Sequence, residues 1–406
     1  MPGLGHKSYL QISKESVYGT YAASKAKMEI MACTINPVIG TIRDGSLYSS
    51  PSRRGIFQGG ILYRGTVTVR LNFEGFLPLF EGVFGSYTGA VVGGETFVRD
   101  HTFKEASTLP SYSIEICQGD VLATGKVIRY LGCKIPRMTI RGTAGQGDDG
   151  MLTAEFEILA KDMDTNSGAG YTPSTTVTVA NMSGSSGSPV ITTSADFIAA
   201  GFKPGMALSG TNVGAGAVVQ SITSATSLTA SVNNSGIPTG VLTATLAFPA
   251  VLPVLFHSEN VNFTTDDGIA SNTTIRVRSL EVTLENALAD DRFYFGSTTL
   301  DEPIRNDFLV ARWVLTQEFQ DYAALTAARA FTTTSPLFKL SASTTIGGTS
   351  KREFEIHSNS AKYTDMGQPI DDYGIIVQRT TQEAFFDGTD ASALLVRFRS
   401  LDGGQI

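Results

Sequence analysis

Four histidines, His6, His101, His257 and His357, are the first residues to test for chemistry, and they lie far apart in the chain. No two stand at a metal-ligand spacing, and the sequence holds no HExxH, CxxC or GxSxG motif. The stretch Gly119–Lys126, GDVLATGK, approaches a phosphate-binding loop. It has five residues between its glycines where the motif has four, and Val127 stands where a hydroxyl would reach magnesium. Adjacent acids occur at Asp148–Asp149, Asp290–Asp291 and Asp371–Asp372. A carboxylate pair that works on one substrate must converge on it. Neighbouring residues on a strand or turn point apart, so these read as solvated turn acids. GQGDDG at 145–150 lacks the spaced oxygens of a calcium loop. The expectation is no enzyme, no catalytic residue, no metal site and no cofactor.

The elements that would have to position any site are more informative. From Gly65 to Gly85, GTVTVRLNFEGFLPLFEGVFG, the period changes from two to helical. Val67, Val69, Leu71 and Phe73 alternate with polar residues, as in a strand with one buried face. Phe76, Leu79, Phe80 and Phe84 then fall at helical spacing, with Pro78 in the first turn and Gly85 as the stop. The same unit recurs at a shift of 246: Val67 falls on Trp313, Val69 on Leu315, Phe73 on Phe319, Phe76 on Tyr322 and Leu79 on Leu325. Ahead of it, Ile30, Cys33 and Ile35 match Val277, Leu280 and Val282 at a shift of 247. Phe76, Leu79, Phe80, Phe84, Tyr322 and Leu325 are therefore expected as core helix packing. Asp321 is expected to cap the second helix, with Arg329 in its last turn.

A long polar stretch precedes each unit, Gly40–Gly60 and Asn286–Asn306, and loops of that length are functional more often than not. Between the two halves the composition shifts. From Tyr171 to Ala250 the charged residues are Asp196 and Lys203 alone, so a small inserted β domain is expected. The expected organisation is an arm of little core at 1–26, a first unit at 27–166, the insert at 167–250, a second unit at 251–400 and a tail at 401–406. The fold class is mainly β: two tandem β-sandwich or barrel units, each flanked by a short helix, plus the insert.

Composition bounds the partners. The 406 residues carry a net charge of −7 with no dense Lys/Arg run, the opposite of a tight phosphate-backbone binder. No stretch approaches the ~20 apolar residues of a spanning helix, so no membrane partner is expected. The N-terminus lacks an apolar h-region, which predicts no signal peptide. Cys33, Cys117 and Cys133 read as buried reduced thiols from a reducing compartment.

Several stretches together resemble the tail tube (major tail) proteins of long-tailed, siphovirus-like bacteriophages. They are TINPVIG at 34–40, RRGIFQGGILYRGTVTVRLNFEG at 53–75, LFEGVFG at 79–85, VGGETFVRDHTFKE at 92–105, TIRGTAGQGDDGML at 139–152 and DEPIRNDFLVARW at 301–313. The likeness covers roughly residues 5–165 and 251–400. It implies six sandwich units per ring and rings stacked into a hollow tube that conducts DNA without tight binding. A chain with two units would then close a trimeric, pseudo-hexameric ring. The long loops would touch the neighbouring ring through Arg43, Asp44, Arg53, Arg54, Asp290, Asp291, Arg292, Asp301 and Glu302. The insert would decorate the exterior. The implied partners are further copies of the chain, a tape-measure protein and tail terminator or tip proteins. The implied place is the virion tail, assembled in the host bacterial cytoplasm. A tube component of a phage-like secretion or contractile particle, and a carbohydrate-binding or adhesion protein, stand as alternatives.

Overall fold

The computed structural model describes residues 8–22, 26–44, 52, 55–95, 98–118, 127–144, 150–165, 176–197, 200, 202, 206–245, 254, 262–264, 277–319, 322–346, 349–367 and 375–401. The fold is mainly β, as expected, and its sheets do not close into a barrel.

The first half supplies β1 (Tyr9–Lys14), β2 (Ala26–Met28), β3 (Ala32–Cys33), β4 (Asn36–Arg43), β5 (Ile56–Arg70), α1 (Leu77–Phe84), β6 (Gly85–Val91), β7 (Arg99–Glu105), β8 (Tyr112–Cys117), β9 (Val127–Thr143), β10 (Thr153–Ala160) and β11 (Asp162–Thr165). The second half supplies β19 (Asn262–Thr264), β20 (Val277–Glu285), β21 (Val310–Glu318), α2 (Ala323–Arg329), β22 (Leu337–Thr345), β23 (Lys351–His357), β24 (Ala361–Gly367), β25 (Val377–Ala384) and β26 (Leu395–Ser400). Between them β12 (Thr176–Val179), β13 (Ser183–Gly184), β14 (Val190–Thr192), β15 (Ala207–Thr211), β16 (Val219–Ser224), β17 (Ser227–Ala230) and β18 (Thr239–Thr245) form two small sheets that pair only with each other. These enclose a separate core around Phe197, Phe202, Ile191 and Leu228.

One large sheet runs β4-β5-β10-β9-β20-β21-β25-β24. Its two four-stranded blocks share strand order and register. Val67 faces Phe156 and Val69 faces Ala154; 246 residues on from β5, Trp313 faces Gln382 and Leu315 faces Thr380. Ala154 pairs Ile140, and 226 residues on, Thr380 pairs Met366. The leading strand corrects one expected match: Val67 pairs Cys33 and Trp313 pairs Val282, so Cys33 corresponds to Val282 and not to Leu280. A slip of two residues keeps every side chain on the same face, so the apolar pattern cannot distinguish the two registers.

The N-terminal part of β9 carries an extension, β2-β1-β8, with no counterpart among the described residues of the second block. Leu10 and Ile12 of β1 are fully buried there, so residues 8–14 belong to the core where the sequence predicted an arm with little core. Across from the large sheet lies a six-stranded one, β19-β22-β23-β26-β7-β6, built from both halves. The C-terminal β26 pairs with β7 of the first half, Phe398 opposite His101. The main core is accordingly continuous from Leu10 through Trp313 to Phe398.

Helix α1 lies inside this sandwich. Phe80 packs on Phe398, Phe156 and Phe103 at ring-centroid distances of 4.9, 5.5 and 5.6 Å. Pro78 sits in its first turn, where the missing N–H costs nothing. Gly85 ends it at φ +89°, and a Cβ there would lie 2.7 Å from the Thr108 carbonyl oxygen. Glu81, also buried, accepts from Lys14 Nζ (2.5 Å) and Tyr112 Oη (2.6 Å). Burial and the Glu81 carboxylate together push the Tyr112 phenol well above its ordinary pKa.

Candidate assembly interface

Among the described residues no group of three or more His, Cys, Asp or Glu is placed to hold a metal, and no helix is long and apolar enough to cross a membrane. His101 is buried in β7 with Nδ1 2.9 Å from Tyr87 Oη, and burial lowers its pKa to about 4. His357 faces Asp390 at 3.2 Å. The Cys117 and Cys133 thiols are buried; burial raises Cys117 to about 11 and Cys133 well above its usual value, which leaves them poor nucleophiles. Gly119–Lys126, Asp148–Asp149 and Asp371–Asp372 lie outside the described residues.

Exposed apolar side chains stand on the insert and on the segment 293–308 as well as at the two ends of the large sheet. At one end β4 and the start of β5 form a hairpin, Arg43 opposite Ile56 and Ile39 opposite Ile61. The two ends of the expected loop, 40–43 and 56–60, are thus strand. Every residue of β4 is exposed, and Val38, Ile39, Ile42, Ile56 and Phe57 stand bare on both faces of the ribbon. A long apolar edge strand is a template for pairing with another chain. At the other end lie β24, whose sheet neighbour among the described residues is β25, and α2 beside it. Tyr322, Phe331, Ile375, Phe385 and Phe386 are exposed there.

The second helix corrects an expectation. Tyr322 is 64% exposed, Leu325 is half-buried, and no residue of α2 is buried. Its N-cap is Tyr322, without a side-chain bond; Asp321 lies outside the described residues. The reason is position. Helix α1 is enclosed by β1, β6, β7 and β9, whereas among the described residues α2 has β24 beside it. Phe76, Leu79, Phe80 and Phe84 are buried, as the helical spacing predicted.

The segment between β20 and β21 folds back over the first block. Asn286 Nδ2 donates to the Val83 carbonyl at the end of α1 (2.7 Å), and Arg305 Nη1 donates to the Ala106 carbonyl (3.0 Å). Lys134 pairs with Glu302 (2.7 Å) and Arg64 with Asp290 (2.9 Å). Ile61 N donates to the Thr298 carbonyl (2.8 Å), and the Phe293 ring lies against Gly60.

A sequence model of a family described as phage tail tube protein matches residues 5–248. The chain belongs to the phage tail tube protein family. No curated protein matches the chain in sequence. The matched span takes in the insert and ends before the second block, so in this tail tube chain the second block is tied to the first by ladder register.

The loop residues singled out from sequence scatter among several environments. Arg53 and Arg54 lie outside the described residues. Arg43 and Asp44 sit at the bare end of the hairpin. Asp290 and Glu302 are paired within the chain, Arg292 pairs with Asp301 (3.2 Å) and donates to the Glu302 carbonyl, and Asp291 accepts from the Phe293 backbone N–H (2.9 Å). Sequence reasoning passed over the apolar surface: Val38, Ile39, Ile42 and Phe57, and the Phe293-Tyr294-Phe295 run, whose Phe295 is fully exposed. Aromatic and branched residues inside otherwise polar loops were the available signal.

Proposed function

We propose that the two blocks are two tube units, that three chains close a pseudo-hexameric ring, and that rings stack into the phage tail tube through which DNA passes. The observation that carries this reading is the junction inside the chain. The last strand of the first block, β9, pairs with the leading strand of the second, β20, Thr139 opposite Thr283 and Ile140 opposite Val282. That contact is head-to-tail, and among the described residues each chain ends the sheet in β4 with β3 on one side and in β24 on the other, where Thr334 bridges Ala361 and the rest of the strand carries no outer ladder. A heterologous contact that repeats by rotation closes a ring. Carrying the internal register over sets Cys33 of one chain opposite Met366 of the next, and Asn36 opposite Lys362.

The net charge of −7 suits a conduit that must release its cargo, since bound phosphates would need a basic lining. The role asks for no catalysis. Tape-measure and terminator or tip proteins would set tube length and ends. Inter-ring contacts fall to the hairpin tip with Arg43, Asp44, Arg53 and Arg54, and to the exposed Tyr294 and Phe295. The insert, with its own core, would stand apart from the ring contacts.

Met366→Cys tests the ring directly, because Cys33 is already half-exposed at the open edge. Directly opposed strand residues lie within disulfide reach. Mild oxidation should yield covalent trimers on a denaturing gel and threefold rings by electron microscopy. A protein that stays monomeric at every concentration, with or without tail partners, overturns the proposal.

A further inference from the structure

The bare helix α2 has a counterpart whose cover is visible. The segment 286–305 caps the end of α1 through Asn286, which bonds the Val83 carbonyl, and meets Ala106 beside it through Arg305; it comes from the block next along the sheet. Both helices stand at the same offset from the preceding strand, Leu77 matching Ala323 at 246. The segment at the matching place in the first block is the β4–β5 hairpin. At the ladder offset of 249, Asn286 corresponds to Pro37. Among the described residues of its own chain the outer part of that hairpin covers nothing: Val38, Ile39, Ile42, Ile56 and Phe57 remain exposed. So the described residues hold one helix without a cover and one apolar ribbon that covers nothing, at opposite ends of one sheet.

We infer that the β4–β5 hairpin of one chain is the cover of helix α2 in the next, a lateral contact within a ring. The occupant is a second copy of this chain. The inference rests on the ring reading above and adds to it a contact that strand pairing alone does not require. It assigns the paired body of the hairpin, 36–43 and 56–64, to the ring's own closure. Two further features fit. Pro37 lines a cavity of about 320 Å³ with Cys33, Ile35, Ile128, Tyr130 and Met163, which gives an apolar side chain room at this seam. Phe331, just past α2, is 59% exposed at φ +53°, a left-handed conformation unfavourable for a bulky residue. A large aromatic held outward in that conformation is placed for an anchoring contact.

Hydrogen exchange on the unmodified protein, as dispersed subunits and as rings, tests this. Amides of 323–332 should exchange at least about tenfold more slowly in rings. Rings in which these amides exchange as in the subunit overturn the inference while the ring reading stands; absence of rings overturns both. Phe57→Asp supplies a second arm. Its side chain is exposed, so subunit Tm should stay within error. Loss of ring closure, or of α2 protection in the rings that form, is expected. Variant rings with α2 protected as in the unmodified protein overturn the inference.

Discussion

Helices α1 and α2 follow equivalent strands and begin at positions 246 residues apart, yet all eight residues of α1 are buried and none of α2 is. Their sequences differ accordingly. α1 reads LPLFEGVF, apolar nearly all round, with one carboxylate tied to Lys14 and Tyr112. α2 reads AALTAAR, and its large apolar groups stand at its flanks, Tyr322 and Phe331. α1 is wrapped by sheets of its own chain. α2 carries what a helix needs to be covered from one side by something that arrives later. The pair contrasts a helix that strands of its own block, β1, β6, β7 and β9, enclose with one that has β24 beside it among the described residues.

Leu79 and Leu325 are the same residue at matching positions, and they should separate most. Leu79→Ala should destabilise the subunit by about 3 kcal/mol, as deletion of a fully buried leucine does. Leu325→Ala should cost the isolated subunit under about 1 kcal/mol. Denaturant unfolding of the two variants measures the gap; equal losses would erase the contrast between the helices.

A comparable effect comes from pH. His101 of β7 and Phe354 of β23 are both fully buried, each opposite Phe398 across β26. Burial, helped by Arg99, holds His101 neutral with a pKa of about 4 against 6.5 when free. The unfolded chain therefore binds the extra proton first as pH falls. The histidine's contribution is complete above pH 6.5, declines between 6.5 and 4, and amounts to about 3 kcal/mol over that window. His101→Phe should flatten the pH dependence of Tm in that range. An unchanged slope would assign the acid sensitivity elsewhere.

The helix ends give the smallest and sharpest pair. Gly85 and Phe331 match at 246, and both have positive φ, +89° and +53°. Gly85→Ala should cost about 2 kcal/mol, from backbone strain and the close Thr108 oxygen. Phe331→Gly relieves strain while losing the Lys362 ammonium over its ring, so subunit stability should move by less than about 1 kcal/mol. If Phe331 is held outward for a neighbouring chain, that variant should instead lose ring formation. Sedimentation beside thermal melts separates the two effects.

Period alone determined much of this protein. Val67, Val69, Leu71 and Phe73 alternate and are buried; Phe76 to Phe84 repeat helically and are buried; Gly85 ends the helix; and the shift of 246 that aligns the two strand-and-helix units is the shift the ladders use. Such features are local, because which face is apolar is set by spacing along one strand or helix. Composition likewise separated the nearly uncharged segment that folds around its own core. Tertiary structure decided the rest. Cys33 pairs in register with Val282 and not Leu280 because strand pairing, blind to two-residue slips in apolar pattern, is resolved by the whole ladder. Residues 40–43 and 56–60 pair as a ribbon because partners on opposite strands hold them, though the composition of the stretch is that of a loop. And α2 lies open where α1 is closed because burial needs, besides an apolar helix, something placed across from it, which the helix's own residues do not supply.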